Sequence, residues 1–182
     1  MSKNYLGNLI NIYEKNIYER CTHLLTLADM DKYSKSFGCF DRSYWQYKIK
    51  DFSSGMSQEA IYPLSLALKN KIISPTTSES KNAIKELITN GAIYSLETQN
   101  FNGSVDDYYP YEQASGATAF SSYALINCLE MESLNISKYH HEKFKKRLFW
   151  LSNHYETGRL SNHEALIALV LAKSSKFYNN KI

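Results

Sequence analysis

The sequence predicts an all-α fold, three helical hairpins forming an incomplete α/α toroid, and three observations carry that expectation. Apolar residues recur at spacings of three and four along most of the chain, whereas the strict alternation of a half-buried strand is nearly absent. Only three prolines and seven glycines interrupt 182 residues, which leaves room for long helices. The second helix of each successive pair also opens alike, with small polar residues leading into an Ala/Leu-rich stretch: Ser54-Gly55-Met56-Ser57, Ser115-Gly116-Ala117-Thr118 and Ser161-Asn162-His163-Glu164.

Taken in order, Leu6, Leu9, Ile10, Tyr13, Ile17 and Tyr18 mark one face of a first helix, which continues through Cys21, Leu24 and Leu25 to about Ala28. A second helix runs from about Ser57 to Lys69, with Pro63 in its first turns, where a missing N–H is tolerated. The cap-like run Thr76-Thr77-Ser78-Glu79 starts a third helix carrying Ala83, Ile84, Leu87, Ile88 and Ile93. The fourth spans roughly Ala117 to Met131, the fifth Lys138 to about His154, and the sixth Asn162 to about Phe177. Pairing them gives hairpins at about 4–70, 77–132 and 138–178 of a single helical domain, 1–182. Repeat spacings of 61 (Gly55 to Gly116) and 46 (Gly116 to Asn162) are too uneven for a tetratricopeptide array. They suit polar outer helices around apolar inner ones.

Composition excludes several classes. With 43% hydrophobic and 14% aromatic residues at a net charge of +3, the chain forms a core and is not disordered. The longest apolar run, Ala165 to Ala172, is far short of the ~20 residues a membrane span needs. Basic residues form no run longer than Lys145-Lys146-Arg147, so no nucleic-acid footprint is expected. The N-terminus reads without a signal peptide, and Cys21, Cys39 and Cys128 form no Cys-x-x-Cys pair. A cytoplasmic protein with reduced thiols is the expectation. No spacing of His, Cys and Asp suits zinc, and no glycine-rich phosphate loop is present, so no cofactor is expected.

In a toroid the connections into the inner helices gather at one end, and here those connections are the unusual parts of the sequence. The first, Ser36 to Gly55, interleaves Arg42, Tyr44, Trp45, Tyr47 and Lys48. Such a set stacks on sugar rings and pairs with anions, or else anchors the loop to the helices. The second, Asn100 to Gly116, holds Asp106, Asp107, Tyr108, Tyr109, Tyr111 and Glu112. Its carboxylates either perform acid–base work, as in glycosidases, or cap the following helix. The third is the short Thr157-Gly158-Arg159-Leu160, followed by Asn162-His163. An amide beside an imidazole can hold a substrate carboxylate during removal of the adjacent proton; the same residues can also simply cap a helix.

At these loops the sequence resembles the heparinase II/III-like polysaccharide lyase family, in its α/α-toroid part only. Phe40-Asp41-Arg42-Ser43-Tyr44-Trp45-Gln46-Tyr47-Lys48 and Asp51-Phe52-Ser53-Ser54-Gly55-Met56-Ser57-Gln58-Glu59 look like that family's opening hairpin. Asn102-Gly103-Ser104-Val105-Asp106-Asp107-Tyr108-Tyr109-Pro110 is similar to the next, and Ser161-Asn162-His163-Glu164-Ala165 to the Asn-His helix start beyond it.

The resemblance implies β-elimination on an anionic, uronic-acid-containing polysaccharide or oligosaccharide, without a redox cofactor. Asn162 would neutralise the uronate carboxylate and His163 would assist. Arg42, Tyr44, Trp45, Tyr47, Lys48, Gln58, Glu59, Asp106, Asp107, Tyr108 and Glu112 would line the substrate. The family's proton-handling tyrosine lies well downstream of the Asn-His pair, but only nineteen residues follow His163, so the candidates for a substitute base are Tyr108, Tyr109 and Tyr111 of the second loop, Tyr109 first among them. Three hairpins are about half a closed toroid. The chain is therefore expected to be part of a larger toroid, or to be completed by a protein partner or by self-association, and to be catalytically incomplete alone. The alternatives are a noncatalytic binding or assembly module of a bacterial surface-polysaccharide pathway, and a glycosidase using the loop carboxylates.

Overall fold

A computed structural model describes residues 3–156, 158 and 160–179. Thr157 and Arg159 of the third connection lie outside the described residues. The fold is all-α: α1 (Lys3–Leu27), α2 (Arg42–Trp45), a 3-10 segment (Met56–Ala60), α3 (Ile61–Lys69), α4 (Ser78–Glu97), α5 (Ser115–Glu130), α6 (Lys138–Asn153) and α7 (Ser161–Asn179). No strand occurs among the described residues. The single-turn α2 lies inside the first long loop, where Asp41 accepts a hydrogen bond from Ser43 N and starts the turn.

Local chemistry explains the boundaries. Thr77 Oγ1 accepts from Ser80 N at 3.1 Å, and Ser80 Oγ accepts from Thr77 N at 3.3 Å, a reciprocal box at the start of α4. Pro63 is the third residue of α3. Its ring would clash with the carbonyl of residue 59 in a continuous α-helix, which is why the preceding Met56–Ala60 stays 3-10. The two inner helices α3 and α5 end in the same device. Lys71 N bonds Leu68 O and Ile72 N bonds Ala67 O; Glu132 N bonds Leu129 O and Ser133 N bonds Cys128 O. Lys71 and Glu132 both take positive φ, 59° and 55°, as this helix ending demands.

Packing builds two layers. α3, α5 and α7 lie side by side with α5 in the middle; α1 packs on α3, α4 on α3 and α6, and α6 on α5 and α7. Central α5 is buried on nearly every side, from Gly116 and Ala117 through Leu125, Ile126 and Cys128. Such a helix must be enclosed by others. Between α4 and α5 stands a side chain of α6: fully buried Arg147 reaches Ser95 on one helix and Ser121 on the other. The three cysteines are buried and free.

One expectation fails. The apolar stripe of α1 does not enter the core: Leu6, Ile10, Tyr13, Ile17 and Tyr18 stay exposed, while Cys21, Leu24 and Leu25 pack. The reason is length. At about 1.5 Å per residue, α1 is about 37 Å long, whereas its neighbour α3 extends about 14 Å.

Candidate functional site

The first loop is largely a self-contained knob. Asp41 accepts from Ser43 N (3.1 Å), Ser54 N (2.9 Å) and Lys50 Nζ (2.9 Å). Burial would raise its pKa, but the Lys50 ammonium and the backbone N–H groups outweigh burial and hold the carboxyl below its usual value. Trp45 Nε1 donates to Leu27 O at 2.8 Å and so ties the loop to an otherwise orphan carbonyl of α1. Gln58 is buried; its amide accepts from Phe40 N and donates to Ser54 O, both at 3.2 Å. Arg42 bonds Gln46 and lies over the Tyr47 ring, and Lys48 lies over Tyr44. Gln58 and Trp45 thus act as struts, the anchoring alternative for this loop.

The second loop is organised by its own carboxylates. Asp106 accepts from Asn100 Nδ2, Tyr111 N and Gln113 N at 2.8–2.9 Å. Glu112 Oε2 accepts the N–H groups of Asp107 (3.0 Å), Tyr108 (2.7 Å) and Tyr109 (3.4 Å). These two carboxylates satisfy the backbone of a tight loop; neither caps the following helix, since the N-cap of α5 is Ala114, without a side-chain cap. Asp107 is buried and joins the two loops, accepting from Ser54 Oγ and, at 3.4 Å, from Met56 N. Gly55 N also donates to Asp106 O at 2.8 Å. Any side chain at Gly55 would collide with Val105, since a Cβ there would stand 2.5 Å from Val105 Cγ2. Tyr108, Tyr109 and Tyr111 are exposed.

The second loop meets the start of α7 at one end of the bundle, where a cleft of about 670 Å³ opens, and Met56, just after the first loop, reaches its edge. Its wall includes Asp107, Tyr108 and Glu112 from the second loop, Trp150 and His154 from the end of α6, then Tyr155, Glu156 and His163. His163 Nδ1 lies 2.8 Å from Glu156 Oε2, and its ring meets Phe120 edge-on at 5.8 Å. The His163 hydrogen bond, assisted by Gly158 N at 3.1 Å, holds the Glu156 carboxyl below its usual pKa. A carboxylate accepts only, so Nδ1 carries the proton and Nε2 of neutral His163 is left as an acceptor. Gly116 leaves room for the ring: a Cβ would stand 2.7 Å from His163 Cε1 and displace the imidazole from its place beside Glu156.

His154 stacks on Trp150 at 4.2 Å and its Nδ1 bonds Trp150 O at 2.7 Å. The Trp150 indole N–H is buried with no acceptor. No lysine or arginine lines this cleft among the described residues.

Asn162 does not join His163. It is exposed and off the cleft wall, because consecutive helical residues point about 100° apart. Tyr109 is exposed on the loop and is not part of the wall. Glu59 lies beside a neighbouring apolar groove with Tyr62 and Phe120; desolvation, then the Asp107 charge, pushes its pKa up. Arg42, Tyr47 and Lys48 do not reach the cleft, and Tyr44 lines a separate small cavity with Tyr94 and Thr98.

Two residues escape sequence reasoning. Glu156 stands seven positions before its partner across an irregular turn, a spacing with no helical meaning. Arg147 is indistinguishable in sequence from its neighbours Lys145 and Lys146, which are exposed. No cluster able to hold a metal ion occurs among the described residues, and no described helix is long and apolar enough to cross a membrane.

Fold and site together define an all-α protein with an imidazole–carboxylate cleft at one end of its bundle. Compared with protein-family models, curated proteins and solved structures, the chain shows no match.

Proposed function

We propose that this chain is a carbohydrate-binding helical segment, with the cleft at the start of α5 and α7 as its sugar site and without efficient lyase activity of its own. The observation that carries this reading is the wall itself. The His163–Glu156 pair stands beside the exposed aromatic rings of Tyr108 and Tyr155, while Trp150 is buried behind His154. Sugar rings offer flat C–H faces to aromatic side chains and hydroxyl groups to carboxylates and imidazoles. The order of the three loop motifs, similar to that of toroid lyases, supports a carbohydrate ligand.

Elimination on a uronate is the less favoured chemistry. It needs the substrate carboxylate neutralised, and the wall instead carries Asp107, Glu112 and Glu156 with no described lysine or arginine. Asn162, the neutralising residue in the lyase reading, is exposed away from it. A neutral or amino-bearing oligosaccharide fits this charge better than an anionic one. Glycosidase action by Asp106 or Glu112 is disfavoured because both are held by loop N–H groups.

Calorimetric titration with cello-, xylo- and chito-oligosaccharides and with alginate and hyaluronan fragments tests the reading. We expect a neutral or amino sugar to bind, His163→Ala to weaken it about tenfold, and no unsaturated uronate to accumulate by ultraviolet absorbance. Absence of binding to every sugar, or binding indifferent to His163→Ala, overturns it. Turnover of a uronate polymer that disappears in Asn162→Ala restores the lyase reading.

A further inference from the structure

A second concavity lies at the other end of the bundle and carries the opposite charge. It holds about 370 Å³ between the C-terminal ends of α3 and α5 and the first turns of α4. Because α5 starts at the His163 cleft and ends here, the helix length of 16 residues separates the two sites by about 24 Å. Four lysines line the hollow: Lys69 and Lys71 after α3, and Lys81 and Lys85 on α4. All four are exposed, and none forms an ion pair among the described residues. Glu132 is the only carboxylate on the wall; Leu68, Ile88 and Met131 supply an apolar floor.

This arrangement runs against local electrostatics. Lys81 ends the first turn of α4, where the helix dipole disfavours cations, and Lys85 follows one turn later on the same face. Lys71 occupies a left-handed position at φ 59°, where glycine or asparagine is conformationally cheaper than lysine. Four exposed lysines line one hollow beside a single described carboxylate, so like charges are gathered there without local neutralisation. A ligand of multiple negative charge offsets the electrostatic part of this cost, at Lys81 and among the four lysines.

We infer that the hollow formed by Lys69, Lys71, Lys81 and Lys85 binds a multiply charged phosphate group, borne either by a small soluble molecule or by a lipid headgroup. Lysine ammoniums act as compact point charges for phosphate, and the apolar floor accommodates the carbon portion of such a ligand. The site is independent of the sugar cleft and does not rest on that reading.

The test is calorimetric titration with inorganic pyrophosphate at about 50 mM and about 300 mM salt. It compares the wild type with Lys81→Gln/Lys85→Gln and with Lys35→Gln/Lys176→Gln, which removes equal charge elsewhere. Glutamine keeps the helix propensity of lysine, so both variants should fold.

We expect one site, weakened about tenfold in the first variant and by salt, and changed less than about twofold in the second. We also expect pyrophosphate to raise the melting temperature of the wild type, and Lys81→Gln/Lys85→Gln to raise it without pyrophosphate. Vesicles containing phosphatidic acid, whose phosphomonoester headgroup can carry two charges, separate the sources: binding that pyrophosphate displaces indicates a headgroup, and binding of pyrophosphate alone indicates a soluble ligand. Equal weakening in both variants reduces the effect to net charge and overturns the inference. So does binding of heparin without binding of pyrophosphate, or no pyrophosphate binding at the lower salt.

Discussion

Arg147→Met removes a charge that the fold has placed wholly inside itself. The guanidinium is fully buried and donates to Gln99 Oε1 at 3.0 Å, Ser95 Oγ at 3.1 Å, Ser121 Oγ at 3.3 Å and the Ser95 carbonyl. It has no carboxylate partner among the described residues, and burial pushes its pKa down to about 9, still charged at neutral pH.

Two effects oppose each other. Methionine relieves the desolvation of a buried cation, an effective penalty of several kcal/mol. It also leaves acceptors without donors, at about 1–3 kcal/mol each. The serine hydroxyls adapt, since Ser121 Oγ already donates to Ala117 O at 2.8 Å. The Ser95 carbonyl cannot, because it lies in the last turn of α4 with no intrahelical partner. Arg147, with Lys143 one turn earlier beside Leu96 O at 3.4 Å, is the C-terminal cap of that helix. Wedged between α4 and α5, the side chain also fills space that methionine fills incompletely.

We therefore expect a net loss of about 2–3 kcal/mol, or a fall of roughly 5–10 °C in Tm for a chain of this size. Arg147→Lys should lose less, because an ammonium keeps the charge but not the fork. Urea unfolding followed by helical ellipticity and tryptophan fluorescence measures both. A methionine variant as stable as the wild type would show that desolvation outweighs the capping bonds, and the argument fails.

Two further outcomes follow from the same geometry. Gly103→Ala should destabilise by about 2–4 kcal/mol, because φ is +101° and a Cβ would stand 2.8 Å from the backbone of Lys146 and Arg147, which cannot yield; an unchanged thermal midpoint would mean that this turn is not docked on α6. Glu156 has a depressed folded pKa, so its stabilisation is present above the unfolded glutamate value of ~4.3 and is lost as pH falls through the folded value. Glu156→Gln should accordingly melt below the wild type near neutral pH, by no more than about 1 kcal/mol for a pair near the surface, and the gap should close in acid; a gap that persists at low pH would contradict the pairing with His163.

The sequence by itself determined the six long helical segments to within a few residues, because those choices depend on neighbours within a turn or two. The Thr77 cap of α4 and the span of α6 from Lys138 were legible in capping residues and apolar spacing, whereas single-turn α2 and the 3-10 character of Met56–Ala60 were not. Gly55 and Gly116 were legible as repeat positions, and both prove to be points where the next hairpin comes close.

Tertiary structure alone decided which polar residues face the cleft. Spacing cannot show that Asp106 and Glu112 bind their own loop, that Glu156 takes His163 while Asn162 turns away, or that α1 outruns α3. It also cannot separate Arg147 from Lys145 and Lys146, since burial of one of three adjacent cations follows from where α4 ends in space. Each of these outcomes is a contact between residues distant in the chain or joined by an irregular turn, and such contacts leave no periodic trace.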